Sequence, residues 1–381
     1  MEAEYLAKGW ELTDKHADAD LFVVRGCSVT SRAQSESEHM VAHLRKHYPT
    51  VPVRVCGCLK DKDAAALARL RGRLPPGSQT SAALARATIP TRTARAYLKV
   101  QDGCNGRCTF CIVPQFRGKS SSVPFAELLD RAKRFIDSGY REIVVTGCNL
   151  SLYLSSGKRL PDLLAALADL APEGDGRCRV RLGSLEPCPC AVDTVHAMAE
   201  HANVCRFLHV PVQSGSNRIL LSMRRPYLVK DVEAIVQTAT SLMPGIGLGC
   251  DLMTGFPGES DLDFSATKGL LERLPFSNAH VFPYSTRPHT VAAGLGGALP
   301  KEVRSSRAHA LAKIAEEARE RYTRTFVGKT VEIVVEREDK VIGWTSEYLK
   351  CEAVAGDAPR KSIARVFVTH AKDDALLGRL D

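Results

Sequence analysis

No stretch of the 381 residues is apolar for long enough to cross a bilayer; the longest runs, such as LPDLLAALADLA (160–171), are short and carry charges. The opening, MEAEYLAKGWELTDK, has no basic-then-apolar plan of the kind that directs secretion. No membrane partner is expected, and a cytoplasmic location is. There is no long internal repeat and no large excess of one charge. The 52 basic and 43 acidic residues leave +9, a mild pointer to a polyanionic partner. Cysteine, by contrast, is plentiful. Thirteen of them, an odd number in a reducing compartment, do not describe a disulfide framework. Some should be ligands and the rest small buried hydrophobes.

Length predicts two or three domains, and 44% apolar residues allow a sizeable core. LFVVRG (21–26), a helical stretch over about 30–47 and VPVRVCGC (51–58) form one βαβ unit with a cysteine at the carboxyl end of each strand. Residues 71–95 are rich in Pro, Gly, Ser, Thr and Arg and read as a linker. From residue 96 strands and helices alternate: YLKVQ, REIVVTG (141–147), RVRLGSLEP (179–187), FLHVPVQ (207–213), IGLGCDLMTG (246–255) and NAHVFPYS (278–285), each with a helix after it. Such alternation predicts a parallel sheet with right-handed crossovers. Six units suit an open (βα) partial barrel rather than a closed eight-fold one. After about 323 only short β-rich runs remain, TVEIVVERE and ARVFVTH, which predict a small all-β barrel. The expected fold is therefore α/β: a small α/β domain (1–80), a linker (81–95), a six-unit partial barrel (96–322) and a small β-barrel (323–381).

The loop after YLKVQ, GCNGRCTFCIVP, holds Cys104, Cys108 and Cys111 with no fourth cysteine beside them. Four thiolates saturate an iron–sulfur cluster, so three can hold three irons and leave one open to a chelating ligand. A three-cysteine zinc site completed by a distant histidine, such as His209, is the competing reading. Seven basic residues against one acid, Asp102, bracket the loop between Arg86 and Lys119.

The spacing C-x3-C-x2-C, with Phe110 before the last cysteine, resembles the signature of radical S-adenosylmethionine (SAM) enzymes. GCNGRCTFCIVPQFRGKSSS, FLHVPVQSGSNRILLSMRRPY, DLMTGFPGESDLDF and HVFPYSTRPHT together resemble the methylthiotransferases, over nearly the whole chain. The resemblance implies that a 4Fe-4S cluster on Cys104, Cys108 and Cys111 chelates SAM through its open iron. It implies a second, auxiliary 4Fe-4S cluster with Cys27 and Cys58 as two ligands; Cys56 is a conceivable substitute for the third. In the family that third ligand precedes the helix that MEAEYLAKGW resembles, a point this chain begins after, which leaves sulfur insertion open. It also implies a TRAM-like RNA-binding β-barrel at the end, tRNA as partner, and an electron donor such as flavodoxin or ferredoxin. VQDGCN and HVFPYSTRPHT are most similar to the enzymes that methylthiolate C2 of N6-threonylcarbamoyladenosine beside the anticodon. Branches acting on isopentenyladenosine tRNA or on a ribosomal-protein aspartate, and a tRNA-binding protein that has lost thiolation, are the alternatives.

A C2–H bond of adenine offers an ordinary side-chain base no matched acidity, which is why radical chemistry suits this substrate. Strand-end residues expected to hold SAM are Thr146, Gly147, Ser184, Glu186, Gln213 and the loop Gly255, Pro257 and Gly258. Arg117, Lys119, Arg224 and Arg225 are expected at tRNA phosphates. In the last module Phe326, Trp344 and Tyr348 are candidates for base stacking, with at least two expected in the barrel core. The Cys188-Pro-Cys190 pair is read as incidental.

Overall fold

The computed structural model describes residues 5, 9–13, 15–26, 31–57, 94–170, 177–337, 340–353, 356–372 and 374–381, with the side chains of 31 and 32 left aside. The chain divides into two units, residues 1–92 with 285–288, and residues 93–284 with 289–381. In the first, β1 (Phe22–Gly26) and β2 (Val53–Gly57) pair in parallel across α1 (Ser31–His47). Phe22, Val41, Leu44, Val53 and Val55 form its core. Cys27 and Cys58 lie outside the described residues. Cys56 is half-buried and directs its thiol to the Val24 carbonyl at 3.3 Å.

The second unit opens with six parallel strands. These are β3 (Ala96–Lys99), β4 (Glu142–Thr146), β5 (Arg179–Leu182), β6 (Phe207–Gln213), β7 (Gly247–Thr254) and β8 (Asn278–Pro283). They pair as β3-β4-β5 and β6-β7-β8, and isolated parallel bridges Val180–Val204 and Ser184–His209 join the two sheets. The crossover helices are α2 (Phe125–Asp137), α3 (Leu160–Asp169), α4 (Pro189–Glu200), α5 (Val229–Leu242) and α6 (Asp261–Arg273). Their apolar spacing explains their seating. In α3, Leu160, Leu163, Leu164, Leu167 and Ala168 are all buried, one stripe at three- and four-residue intervals. Ser260 caps α6, its hydroxyl accepting from the Asp263 amide while the Asp263 carboxylate accepts from the Ser260 amide.

The third strand is shorter than the sequence suggests. RVRLGSLEP pairs with β4 only as far as Leu182. Gly183 makes a last bond to the Val145 carbonyl and Leu185 then donates to the His209 carbonyl, so the chain changes partner there. The segment 183–187 is thereby freed from the ladder at the carboxyl ends of the strands.

A 24-residue helix, α7 (Lys301–Arg324), leads into five strands. They are β9 (Thr330–Arg337), β10 (Val341–Thr345), β11 (Lys350–Ala353), β12 (Ile363–Lys372) and β13 (Ala375–Leu380), and they close into a barrel in the order β9-β10-β11-β13-β12. Val331, Ile333, Val335, Val366, Val368 and Leu376 fill it, with Phe326 as a lid. Trp344 and Tyr348 are not in this core. They stack on each other with centroids 4.7 Å apart, and Arg95 and Arg181 lie over their outer faces. The reason is a buried charge cluster. Glu142, fully buried, accepts from Arg179 Nε at 2.6 Å and Arg181 Nε at 2.8 Å. Those arginines also donate to the carbonyls of Trp344, Thr345 and Ser346. The cluster fastens the β-barrel to the parallel strands, and the two rings complete it.

Candidate functional site

The cysteine loop leaves β3 through Gln101, whose amide is fully buried. Gln101 Nε2 donates to the Gly103 carbonyl at 2.7 Å and to Ser120 Oγ at 2.9 Å, while Oε1 accepts from the Asn149 amide at 2.9 Å. One side chain thus ties the loop to itself and to the turn after β4. Gly103 sits at φ +69°, and a Cβ there would stand 2.1 Å from the Lys119 carbonyl oxygen. Only glycine fits this approach.

Each of the three thiols receives a donor. Gly106 N–H lies 3.2 Å from Cys104 Sγ, Arg225 Nη1 lies 3.1 Å from Cys108 Sγ, and Val113 N–H lies 3.4 Å from Cys111 Sγ. A Cβ on Gly106 would stand 3.1 Å from Cys104 Sγ and 3.8 Å from Cys108 Sγ, so glycine keeps the space between those sulfurs clear. Burial pushes the Cys108 thiol up, and pushes Cys111 to about 11. The Cys108 and Cys111 thiolates are therefore disfavoured until a cation arrives, and a coordinated metal deprotonates such thiols outright. Three sulfurs with donors and cleared space fit a cubane cluster held at three corners. His209 is engaged with a carboxylate rather than with the three thiols. Its Nε2 lies 3.1 Å from Asp251 Oδ1, and His280 Nδ1 lies 3.3 Å from the same oxygen.

Arg225 is the largest departure from expectation. The sequence places it among residues expected at tRNA phosphates, but its side chain is only 8% exposed. Besides Cys108 it meets Glu186 Oε1 at 2.5 Å and Tyr227 Oη at 2.7 Å, with the Tyr227 ring under its guanidinium. Glu186 Oε2 in turn accepts from Asn149 Nδ2 at 2.7 Å. Arg225 therefore joins the cysteine loop to the ends of β4, β5 and β6. The doublet Arg224-Arg225 conceals this in the sequence, because two adjacent arginines point opposite ways: Arg224, at φ +54°, is exposed.

The other expected residues divide. Gln213 is buried at φ +66°, and its Oε1 has no hydrogen-bond partner. An orphaned buried acceptor at a strand end is a place for a ligand's donor. Gly255, at φ +68°, donates its amide to Glu259 Oε2 at 2.8 Å, and Arg307 Nη1 of α7 holds the same oxygen at 2.5 Å. Pro257 is buried and Gly258, at φ +80°, is exposed. Thr146 is half-buried; Gly147 and Ser184 are exposed. Phe110 packs on Ile219, Met223, Met253 and Phe256, while Thr109 Oγ1 donates to the Ser222 carbonyl at 3.0 Å. Lys119 is exposed, and Arg117 Nη1 pairs with Asp102 Oδ2 at 3.7 Å. The sequence alone does not single out Gln101, Asn149 or the grouping of His209 with Asp251 and His280. The last had a signal: a polar residue inside each of three otherwise apolar strands.

This site defines a radical SAM enzyme, and the sequence model described as Radical SAM superfamily matches residues 98–271. A second, described as Uncharacterized protein family UPF0004, matches residues 1–74. One relative is the threonylcarbamoyladenosine tRNA methylthiotransferase MtaB of Chlamydia pneumoniae, 30% identical over 97% of this chain and 91% of its own. Its Bacillus subtilis namesake is 28% identical over 90% of this chain and 84% of its own. A tRNA-2-methylthio-N(6)-dimethylallyladenosine synthase of Mycobacterium ulcerans is 34% identical over 86% of this chain and 69% of its own. The chain belongs to the tRNA methylthiotransferase family, an enzyme class that carries a 4Fe-4S cluster and uses SAM. Among the described residues no helix is long and apolar enough to cross a membrane.

Proposed function

We propose that the chain adds a methylthio group to C2 of N6-threonylcarbamoyladenosine next to the anticodon of a cytoplasmic tRNA. The observation that carries the reading is the convergence of three donor-supplied thiols with Arg225, Glu186 and the unpartnered Gln213 Oε1 at one set of strand ends. A relative named for this substrate aligns with 97% of the chain, which favours it over the alternatives. Cys104, Cys108 and Cys111 would hold the cluster, and the bound cluster and SAM supply the homolytic chemistry that an aromatic C–H bond demands. Arg225 keeps positive charge against Cys108 and orients Glu186. Gln213 Oε1 would accept from the cofactor, and the backbone of Thr146, Gly147, Ser184, Gly255 and Gly258 would line its site, with Phe110 and Pro257 as apolar backing. Cys27 and Cys58 contribute to a second cluster, and a flavodoxin or ferredoxin delivers electrons. Arg117, Lys119 and Arg224 meet tRNA phosphates, which adds salt-dependent affinity. Residues 1–80, 96–322 and 323–381 are the sulfur-handling, radical and RNA-binding modules, joined by 81–95.

The 34% identity of a dimethylallyladenosine enzyme keeps one second reading, the same reaction on isopentenyladenosine tRNA. Tandem mass spectrometry of bulk tRNA nucleosides from a deletion strain separates them. Loss of methylthio-threonylcarbamoyladenosine is the expected result. Loss of the methylthio-isopentenyl nucleoside moves the assignment, and an unchanged profile overturns both.

A further inference from the structure

Two cysteines that the cluster loop does not use stand together at the amino end of α4. Cys188 Sγ and Cys190 Sγ are 2.9 Å apart, against about 2.05 Å in a disulfide bond. Cys188 is the residue before the helix and is half-buried; Cys190 is buried. The neighbouring Cys190 thiol favours the Cys188 thiolate most; burial opposes it, and Ser151 and the backbone N–H groups of Ala191 and Cys190 add to it, so its proton leaves well below the ordinary thiol range. Cys190 is raised by the same neighbour and keeps its proton. The pair lies close to the site. Cys188 follows Glu186 by two residues, Cys190 Sγ contacts the Ser151 carbonyl at 3.6 Å, and Ser151 Oγ donates to the Glu186 carbonyl at 3.1 Å.

Five other described cysteines outside the loop are unlike this. Burial pushes up the thiols of Cys178, Cys205, Cys250 and Cys351, and exposed Cys148, which donates to Asp102, is raised as well. A structural disulfide is a poor account of the pair, because a ring closed over one residue restrains the unfolded chain little. A half-buried thiol 2.9 Å from a buried one, with charge favoured on the more exposed sulfur, is the arrangement of an attacking and a resolving cysteine.

We propose that Cys188 and Cys190 form a sulfane-sulfur acceptor, in which Cys188 takes sulfur from a small-molecule or protein persulfide and Cys190 releases it as hydrogen sulfide beside the strand-end site. The proposal rests on the methylthiotransferase reading, which requires sulfur to be delivered. In the first step Cys188 thiolate attacks the outer sulfur of R–S–SH. The donor's S–S bond breaks, RS⁻ leaves, and Cys188–S–SH remains. In the second step the Cys190 thiol attacks the Cys188 sulfur, the outer sulfur departs with both protons as hydrogen sulfide, and a Cys188–Cys190 disulfide forms. The two thiols supply the two electrons that reduce the sulfane sulfur. A dithiol reductant resets the pair.

The test uses full-length holoenzyme purified without oxygen, with glutathione persulfide as the probe, and no tRNA. Wild type should release about one hydrogen sulfide per chain before reduction is needed, and gain a Cys188–Cys190 disulfide on peptide mapping. Cys190→Ser should stop that release and retain one extra sulfur on Cys188. Cys188→Ser and Cys188→Ala should do neither, and Cys148→Ser should behave as wild type. Iron content and circular dichroism report the folding of each variant. Equal sulfide release by wild type and both Cys188 variants, or an unlabelled Cys188 in Cys190→Ser, overturns the site. Because no tRNA is present, an unchanged nucleoside profile in the deletion strain would sink the substrate assignment and leave this result standing.

Discussion

Arg225 places Nη1 3.1 Å from Cys108 Sγ and Nη2 2.5 Å from Glu186 Oε1, so one buried guanidinium spans the cysteine loop and the segment after β5. A donor on a cluster sulfur raises the reduction potential, and a buried charge that loses its partner is costly. Arg225→Ala should lower the potential of the loop's cluster and slow SAM cleavage by at least about tenfold, or 1.4 kcal/mol. A redox titration followed by electron paramagnetic resonance, with product counting, reads both. An unchanged potential with unchanged cleavage would refute the role.

The three loop cysteines should be interchangeable in their loss. Cys104→Ala, Cys108→Ala and Cys111→Ala should each remove about four irons per chain and abolish SAM cleavage. Gly103→Ala should mimic them through the backbone alone, because its Cβ would lie 2.1 Å from the Lys119 carbonyl oxygen. Retention of full iron by the glycine variant would show that the loop can rearrange.

Glu142 should hold the β-barrel in place in a pH-dependent way. Three arginines, Arg179, Arg181 and Arg95, hold its buried carboxyl down to about 2, against an ordinary 4.5. A depressed folded value means stability present above 4.5 and lost as pH falls toward 2; the shift corresponds to about 3 kcal/mol. Glu142→Gln should remove this dependence and lower the melting temperature of cluster-free protein, since it strands the arginines. Thermal unfolding of both proteins between pH 2 and 5 is the measurement, and parallel curves would contradict it.

His280 should titrate late. Asp251 raises its imidazole above the ordinary 6.5, burial and Arg319 oppose this, and His209 shares the same carboxylate. A raised folded value gives stability that is full below 6.5 and is lost as pH rises through the folded value. Asp251→Asn should bring the imidazole titration, followed by nuclear magnetic resonance, back down. No movement would mean that the carboxylate does not set it.

The alternation of apolar strands and amphipathic helices was legible because each period reports burial of one face, and that burial is local in origin. Six strands and the helices between them fall close to where the pattern places them. RVRLGSLEP ran short because the change of partner from Val145 to His209 depends on a strand remote in sequence. At least two of Phe326, Trp344 and Tyr348 are expected in the barrel core from the sequence, yet only Phe326 is there, for a similar reason. The rings of Trp344 and Tyr348 carry no mark of Arg95 and Arg181, more than 160 residues away, that cover them.

By itself the sequence determined the order of elements and the C-x3-C-x2-C spacing, because helix and strand periods and the reach of a short loop are local matters. The need for glycine at 103, by contrast, follows from the folded loop, where the Lys119 carbonyl oxygen would stand 2.1 Å from a Cβ. Only the tertiary structure decided which arginine turns inward, which glutamine keeps an unpaired acceptor, and that the thiols of Cys188 and Cys190 meet. Those outcomes depend on distances between side chains brought together by packing, and no spacing along the chain encodes them.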